Sequence, residues 1–301
     1  MTSTLTQSSS RRAIKVALIG AGIQQSGSPA LHMTEGTALG LHYSYELLDT
    51  DLLPEGAQAL PRLLAEAQRS GYAGLNITYP CKQAVIPLLD TLSPEADALQ
   101  SVNTVVFAGT QRIGYNTDCW GFAENLRRGL ADAIRQRVVL VGAGGAGSAV
   151  GYAVLQWGAR TLQIHDLDPQ RALALAARLS TQFPNCGVTA TGDLESALAH
   201  ADGLIHASPM GMAKLPGLPV PAQFLRPPLW VADVVYVPLV TQLLAQARAA
   251  GCRTLDGGGM AVFQAAKAFE LFTGIKPDAE RMLTGFNARM RLNNPAAVPP
   301  P

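Results

Sequence analysis

The sequence predicts an α/β protein of two domains, of which the second is a doubly wound parallel sheet and the first a separate α/β unit. Apolar strand-like segments alternate with helix-like segments along most of the 301 residues, which is the pattern of a parallel sheet with crossover helices. The segment 138–147, VVLVGAGGAG, is an apolar strand followed by a glycine turn and a helix start. The length and the 48% hydrophobic content are sufficient for two cores.

The glycine turn has the fingerprint of a dinucleotide site in a Rossmann-type domain. Gly142 permits a tight turn, Gly144 lets the backbone approach a pyrophosphate, and Gly147 lets the helix pack closely. The N-terminus of that helix offers free N–H groups and a positive dipole to the phosphates. Asp166 follows at the end of the next strand, where a carboxylate can accept hydrogen bonds from a ribose diol. A purely structural turn and another nucleotide are the alternatives to a nicotinamide dinucleotide.

The mid-chain position of this turn divides the sequence. We expect a substrate-binding and catalytic domain at 13–118, a dinucleotide-binding domain at 119–255, C-terminal helices at 256–290, and flexible tails at 1–12 and 291–301. The C-terminal helices have no further strand to accompany, so we expect them to pack back on the substrate-binding domain. A cleft between two such domains is a usual site for a small ligand.

A second glycine turn follows the first strand, at Gly20 and Gly22, but it departs from the fingerprint. Its third glycine is misplaced, Pro29 falls at the expected helix entry, and no acid ends the next strand in the right place. We therefore expect a loop that exposes Ser26 and Ser28 instead of a second cofactor site.

Charge and composition exclude several classes of protein. Lys and Arg number 23 against 22 Asp and Glu, so the net charge of +1 gives no electrostatic case for a nucleic-acid or membrane partner. No apolar run approaches the length of a membrane span, and the start lacks an apolar signal segment. The five histidines are scattered without metal spacing. The four cysteines show no paired spacing, which favours reduced thiols and a cytoplasmic location.

Polar residues cluster at strand ends in the first domain. Asn76, Thr78 and Lys82 follow an apolar strand, Asn103 lies among apolar residues, and Asp118 stands just before a helix. Each has a simpler interpretation, since asparagines form turns, Asp118 can cap the helix and Lys82 can be a solvated loop cation. Taken together, they describe a polar site that faces a dinucleotide and suits a polyhydroxylated substrate.

The order of short motifs resembles the shikimate/quinate dehydrogenase family from about Val16 to Gly274. The motifs are S-x-S-P at 26–29, N-x-T-x-P-x-K at 76–82, V-N-T at 102–104, G-x-N-T-D at 114–118, GAGGAG at 142–147, S-P-x-G-M at 208–212, D-x-x-Y at 233–236 and D-G-x-G-M-x-x-x-Q at 256–264. The family oxidises a ring secondary alcohol reversibly to a ketone, with hydride passing to a nicotinamide. A non-catalytic metabolite-binding relative is an alternative, but the presence of both Lys82 and Asp118 argues against it.

The resemblance implies a role for each matching residue. Lys82 would be the general acid/base and Asp118 its partner. The substrate carboxylate would be bound by Ser26, Ser28 and Tyr236. Ring-hydroxyl binding would fall to Asn76, Thr78, Asn103 and Gln264. The cofactor would contact Gly142, Ala143, Gly144, Gly145, Ala146, Asp166, Ser208, Met210, Val234, Gly257, Gly259 and Met260.

The choice of cofactor and substrate depends on two positions. NADP-using members of the family end the second strand with Asn-Arg-Thr, whose arginine meets the 2′-phosphate, whereas this chain has Asp166, Leu167 and Asp168. A carboxylate repels a phosphate, so we predict NAD; Asp168 is better explained as a helix cap. Ser28 favours shikimate, because some NAD-using members that favour quinate have threonine there. Quinate and aminoshikimate stay as alternatives, and the sequence leaves a homodimer open.

Overall fold

The computed structural model describes residues 13–293, which form two six-stranded sheets with helices packed against them. The strands of the first sheet are β1 (Ile14–Gly20), β2 (Tyr43–Asp49), β3 (Gly74–Ile77), β4 (Thr91–Leu92), β5 (Thr104–Ala108) and β6 (Gln111–Tyr115). Their spatial order is β2-β1-β3-β5-β6-β4. Strands β2, β1 and β3 are parallel, and β5 then runs antiparallel to both β3 and β6.

The second sheet is parallel throughout. Its strands are β7 (Arg137–Val141), β8 (Thr161–His165), β9 (Gly187–Ala190), β10 (Gly203–His206), β11 (Trp230–Asp233) and β12 (Arg253–Leu255). Their order is β12-β11-β10-β7-β8-β9. The chain therefore adds β8 and β9 on one side of β7 and then crosses back to add β10, β11 and β12 on the other side. Ligands of such sheets bind at the carboxyl ends of the strands beside this reversal. The predicted α/β fold with a Rossmann-type second domain is confirmed.

Eleven α-helices lie within residues 13–293. They are α1 (Ser28–Ala38), α2 (Leu60–Arg69), α3 (Cys81–Ala84), α4 (Pro94–Leu99), α5 (Thr117–Gly129), α6 (Gly145–Gln156), α7 (Pro169–Gln182), α8 (Leu194–Ala199), α9 (Gln242–Ala249), α10 (Gly257–Thr273) and α11 (Ala279–Asn293). Short 3-10 turns occupy Thr50–Leu52, Gly56–Ala59, Ile86–Leu88 and Ala222–Phe224. None of the helices in the described range is long and apolar enough to span a bilayer.

Helix α10 joins the two halves of the molecule. Near its start, Met260 belongs to the apolar core of the second sheet, and near its end Phe272 belongs to the core against the first sheet. It packs along α5 and also contacts α1 and β1. The C-terminal helices therefore return to the first sheet, as the sequence predicted. The expected domain boundary at 118 falls inside α5, which makes α5 the connection between the two sheets.

Two local features differ from what the sequence led us to expect. Strand β4 was not anticipated, because two residues are too few to produce an apolar periodicity. The tail expected from 291 begins too early, since α11 continues to Asn293. The remaining residues of the two predicted tails, 1–12 and 294–301, lie outside the described part of the chain.

The expectations for the first glycine turn also need correction. Ser26 and Ser28 are half-buried and not exposed. An acid does end the next strand, because Asp49 accepts hydrogen bonds from the backbone N–H groups of Gly22 and Ile23, at 3.0 and 3.1 Å. Both of its oxygens accept backbone N–H groups, so Asp49 stabilises the turn.

Candidate active site

Lys82 and Asp118 form an ion pair between α3 and the start of α5. The chain leaves β3 at Ile77 and turns into α3, which contains Lys82, while Asp118 lies in the first turn of α5. Lys82 Nζ donates to Asp118 Oδ2 over 2.6 Å, and the two side chains are 25% and 14% exposed. A charge-assisted hydrogen bond of this length in a partly enclosed position fixes the direction of the ammonium group.

Asp118 does not cap its own helix. Asn116 is the N-cap of α5, and its side-chain oxygen accepts from the backbone N–H groups of Asp118 and Cys119. The amide nitrogen of Asn116 donates to the carbonyl of Ser101 at 2.9 Å, which holds the cap in place. Asn116 is therefore the residue that caps α5, and the interpretation of Asp118 as a helix cap is wrong.

Asn103 completes the environment of the Asp118 carboxylate. Its Nδ2 donates to Asp118 Oδ1 at 2.9 Å, so each carboxylate oxygen has one donor. The backbone N–H of Thr117 donates to Asn103 Oδ1 at 2.7 Å, which fixes the orientation of the amide. In this structure Asn103 thus positions Asp118, and binding a substrate hydroxyl would require it to exchange one of these bonds.

Hydrogen bonds within the protein also hold the side chain of Asn76. Its Oδ1 accepts from the Tyr45 hydroxyl at 2.9 Å, and its Nδ2 donates to Thr104 Oγ1 at 3.1 Å and to the Asn103 carbonyl at 3.3 Å. The side chain is buried and links β2, β3 and β5. Tyr45 and Thr104 were not identified from the sequence, because their role depends on contacts between strands that are distant along the chain.

A cavity of about 640 Å³ opens beside the ion pair. Its wall includes every residue predicted for catalysis and substrate binding and several predicted for the cofactor: Ser26, Ser28, Asn76, Thr78, Lys82, Asn103, Asp118, Ala146, Val234, Tyr236, Gly257, Met260 and Gln264. Met212, whose role the sequence did not decide, lies on the same wall. Residues from both halves of the chain therefore converge on one space.

Tyr236 faces this cavity with its hydroxyl protonated. Desolvation raises the pKa of the phenol, the carboxylate of Asp118 raises this pKa further, and the ammonium of Lys82 lowers it. The net direction is upward, so the phenol keeps its proton at neutral pH. It can therefore donate a hydrogen bond to an anionic ligand group.

The glycine turn after β7 fits a dinucleotide. Gly142 has a φ of 106°, a conformation that favours glycine. Side-chain atoms placed on Gly144 or Gly145 would meet nothing within 4 Å, so the turn has open space on the ligand side. A Cβ on Gly147 would lie 1.9 Å from the Gly142 carbonyl oxygen, which explains the close contact between the turn and α6. The open turn and the start of α6 are a suitable cradle for a pyrophosphate.

A second cavity of about 450 Å³ continues from this turn. Four residues predicted for the cofactor line it: Gly142, Asp166, Ser208 and Met210. Asp166 Oδ2 accepts from the backbone N–H of Ala143 at 2.7 Å, and Oδ1 accepts from the backbone N–H of Asp168 at 2.9 Å. Asp166 therefore ties the second strand to the glycine turn while lying on the cavity wall.

Three observations refine the cofactor residues. Asp168 caps α7 by accepting from the backbone of Gln170, as its simpler interpretation predicted. Arg171 also lines this cavity, with its Nε 3.5 Å from Asp168, and is a cation that the sequence argument overlooked. Gly259 lines neither cavity, and a Cβ at this position would collide with the side chain of Asn125.

A buried hydrogen-bonded chain supports Ser208. His206 Nε2 lies 2.6 Å from Ser208 Oγ, and His206 Nδ1 lies 2.9 Å from Asp233 Oδ1. Asp233 also accepts from the hydroxyl of Thr241 and from the backbone of Val235. His206 and Asp233 are fully buried. The histidines are scattered along the sequence, and the signal for this hydrogen-bonded chain was that His206 and Asp233 end neighbouring parallel strands.

Within residues 13–293, no cluster of three or more histidine, cysteine or acidic side chains has the arrangement of a metal site.

Two family models match the sequence. A model described as the shikimate dehydrogenase substrate binding domain matches residues 18–105. A second, described as the shikimate 5'-dehydrogenase C-terminal domain, matches residues 257–284. The first range runs from the end of β1 to the start of β5 and contains Lys82, and the second covers α10 and the first part of α11.

The chain is similar over most of its length to named proteins. It is 54% identical to a shikimate dehydrogenase (NADP(+)) of Streptomyces avermitilis, over 89% of this chain and 93% of the relative. It is 48% identical to a quinate/shikimate dehydrogenase (NAD(+)) of Corynebacterium efficiens, over 91% of this chain and 97% of the relative. The solved quinate dehydrogenase from Corynebacterium glutamicum in complex with NAD superposes with a TM-score of 0.88 and 44% identity, covering 92% of this chain and 99% of that one.

Proposed function

The chain belongs to the shikimate/quinate dehydrogenase family of nicotinamide-dependent oxidoreductases, and from this we propose that it is an NAD-dependent shikimate dehydrogenase. It would interconvert shikimate and 3-dehydroshikimate. The observation that carries the proposal is the 2.6 Å pair of Lys82 and Asp118 on the wall of a cavity that also contains residues of the dinucleotide side.

Lys82 is proposed as the general acid/base. During oxidation Lys82 Nζ accepts the proton of the ring hydroxyl, and during reduction it returns that proton to the oxygen. Its charged form also stabilises negative charge on the oxygen as the proton is transferred. A bound nicotinamide dinucleotide would supply the hydride acceptor during oxidation and the hydride donor during reduction. Asp118 keeps the ammonium directed at the cavity, and Asn103 in turn holds Asp118.

The remaining cavity residues are proposed to orient the ring. Ser26, Ser28 and Tyr236 supply hydroxyl groups for the carboxylate, and the raised pKa of Tyr236 keeps that phenol a donor. Thr78 and Gln264 lie on the same wall and can bind ring hydroxyls. A site built from hydrogen-bonding groups discriminates strongly against analogues that lack the matching hydroxyl.

The preference for NAD rests on Asp166. Its carboxylate lies on the wall of the second cavity, where the 2′-phosphate of NADP would meet a negative charge. The quinate/shikimate dehydrogenase of Corynebacterium efficiens is named as NAD-dependent, whereas the Streptomyces avermitilis relative is named as NADP-dependent. Arg171 lies in this cavity too, but Asp168 is its neighbour at 3.5 Å and offsets its charge.

Initial rates with shikimate and quinate, each with NAD and with NADP at the same pH, test the proposal. We expect the highest kcat/KM with shikimate and NAD. Preference for NADP would overturn the cofactor assignment. Failure of all four combinations to change the nicotinamide absorbance would overturn the enzymatic function and favour a metabolite-binding role.

Quinate is the second candidate substrate. The observation in its favour is the similarity to a solved quinate dehydrogenase that binds NAD. Ser28 lies on the cavity wall, and the resemblance to the family, in which some quinate-preferring members have threonine at this position, favours shikimate. The quinate arm of the same rate measurement decides between the two, because a kcat/KM higher for quinate than for shikimate would reverse the assignment.

Replacing Asp166 by asparagine is expected to lower the ratio of kcat/KM for NAD over NADP by about tenfold or more, on the scale of one lost charge interaction. Asparagine keeps an acceptor for the Ala143 N–H, so the turn itself should persist. Asp193→Asn is the control, because it makes the same substitution at the exposed N-cap of α8, outside this cavity, and asparagine still caps that helix. An equal change of the ratio in both variants would mean that Asp166 has no specific contact with the ribose.

A further inference from the structure

The substrate cavity has no net charge of its own. Its wall contains two charged side chains, Lys82 and Asp118, and these pair with each other. The inference rests on the proposed function. Shikimate, the proposed substrate, has a carboxylate, and Ser26 and Ser28 are the proposed ligands of that group. Moving a carboxylate out of water is unfavourable unless a cation or oriented donors compensate for the lost hydration. Hydroxyl groups alone would provide weak compensation.

A cation lies directly behind this end of the cavity. Arg289 belongs to α11, and its guanidinium donates to the carbonyl oxygen of Gly27 at 3.3 Å. Gly27 stands between Ser26 and Ser28, so the guanidinium is attached to the loop that supplies both hydroxyls. A Cβ on Gly27 would lie 2.8 Å from the same guanidinium nitrogen, so the absence of a side chain permits this approach.

The charge of Arg289 is not neutralised by a neighbour. Arg281, two turns earlier in α11, pairs with Glu35 at 2.7 Å and with Asp278 at 3.4 Å. Within residues 13–293, Arg289 forms no ion pair with any carboxylate and its hydrogen bond is to a neutral carbonyl. Its positive potential therefore extends toward the loop. Since water screens such a potential poorly inside a partly enclosed site, it acts on an anion bound nearby.

The start of α1 adds to the same field. This helix begins at Ser28, and its N-cap Gly27 provides no side-chain cap. The Gly27 carbonyl also accepts from the backbone N–H of Leu31 at 3.2 Å. Arg289 thus binds the N-cap carbonyl of a helix whose positive end lies at the two serines. The helix end and the guanidinium both favour a negative charge at that place.

We propose that Arg289 is a specificity-determining residue that selects a carboxylate-bearing substrate through the Gly27 carbonyl, without touching the carboxylate itself. It positions the loop of Ser26 and Ser28 and supplies the positive charge that the cavity wall lacks. The C-terminal helix α11 is then part of the substrate site, although none of its residues lines the cavity beside Lys82.

The test compares shikimate with its uncharged methyl ester in the full-length enzyme. We expect Arg289→Met to lower kcat/KM for the acid by about tenfold, mainly through KM, and that for the ester by less than about twofold. Arg289→Lys should restore part of the preference for the acid, because the charge returns. Arg291→Met is the matched control, since Arg291 lies in the same helix and is exposed; its acid-to-ester ratio should match that of the wild type.

The outcomes separate this inference from the proposed function. Equal losses for acid and ester in Arg289→Met would show a purely structural role of the arginine, and an unchanged ratio with normal rates would show no role. Either result overturns the inference while wild-type turnover still supports the proposed function. Absence of wild-type turnover with the acid overturns both.

Discussion

Replacement of Lys82 by alanine is expected to lower kcat by roughly 10²- to 10⁴-fold, the range that a positioned acid/base contributes. The variant loses the group that exchanges a proton with the ring oxygen, and it leaves Asp118 with the bond from Asn103 alone. The affinity for shikimate should change modestly, since the ring keeps its other proposed contacts. Steady-state kinetics and equilibrium binding of shikimate measure the two quantities separately.

Gln83→Ala is the matched control for this variant. Gln83 is the next residue in α3 and is exposed, so its loss removes a side chain of similar size from the same short helix. Its kcat should stay within about twofold of the wild-type value. Near-normal turnover by Lys82→Ala would remove Lys82 from the mechanism, whatever the control shows.

Replacement of Gly147 by alanine is expected to lower the free energy of unfolding by about 1–3 kcal/mol, in the manner of an overpacked contact. The new Cβ would lie 1.9 Å from the Gly142 carbonyl oxygen, a backbone atom that can yield only if the whole turn moves. Because the same turn is the proposed pyrophosphate cradle, the affinity for NAD should fall as well. Denaturant unfolding and calorimetric titration with NAD measure both effects.

Gly145→Ala separates the steric effect from a general effect of alanine in α6. A Cβ at Gly145 would meet nothing within 4 Å, and the residue lies in the same helix start. We expect its unfolding free energy to be unchanged or slightly higher, because alanine is the better helix former. A Gly147→Ala variant as stable as Gly145→Ala would mean that the turn accommodates the added methyl group.

The sequence predicted those features that depend on neighbouring residues. The glycine turn, the strand before it and Asp166 occur close together in the chain, and their chemistry permits few residue types. The alternation of strands and helices gave the α/β fold for the same reason. The substrate did not follow from local pattern, because Lys82 and Asp118 alone describe a polar pair; only the resemblance to a family supplied the ring alcohol.

Other features depend on contacts between distant segments and were not visible in the sequence. Asn103 and Asp118 meet because β5 lies beside β6 and the chain then enters α5. His206 and Asp233 meet because β10 and β11 are adjacent, and their register places the two residues side by side. The register between strands is a tertiary property, so the sequence showed the residues without showing which of them are partners.

The position of α10 has a consequence for the newly synthesised chain. One face of the first sheet, with Val16, Leu18 and Tyr45, is covered by Ala268 and Phe272 of α10. Those strands leave the ribosome long before α10 is translated, so the nascent chain presents an uncovered apolar sheet face for most of its synthesis. Such a face promotes aggregation and attracts chaperones. The packing on this face of the first sheet can therefore be completed only after α10 has been translated to Thr273.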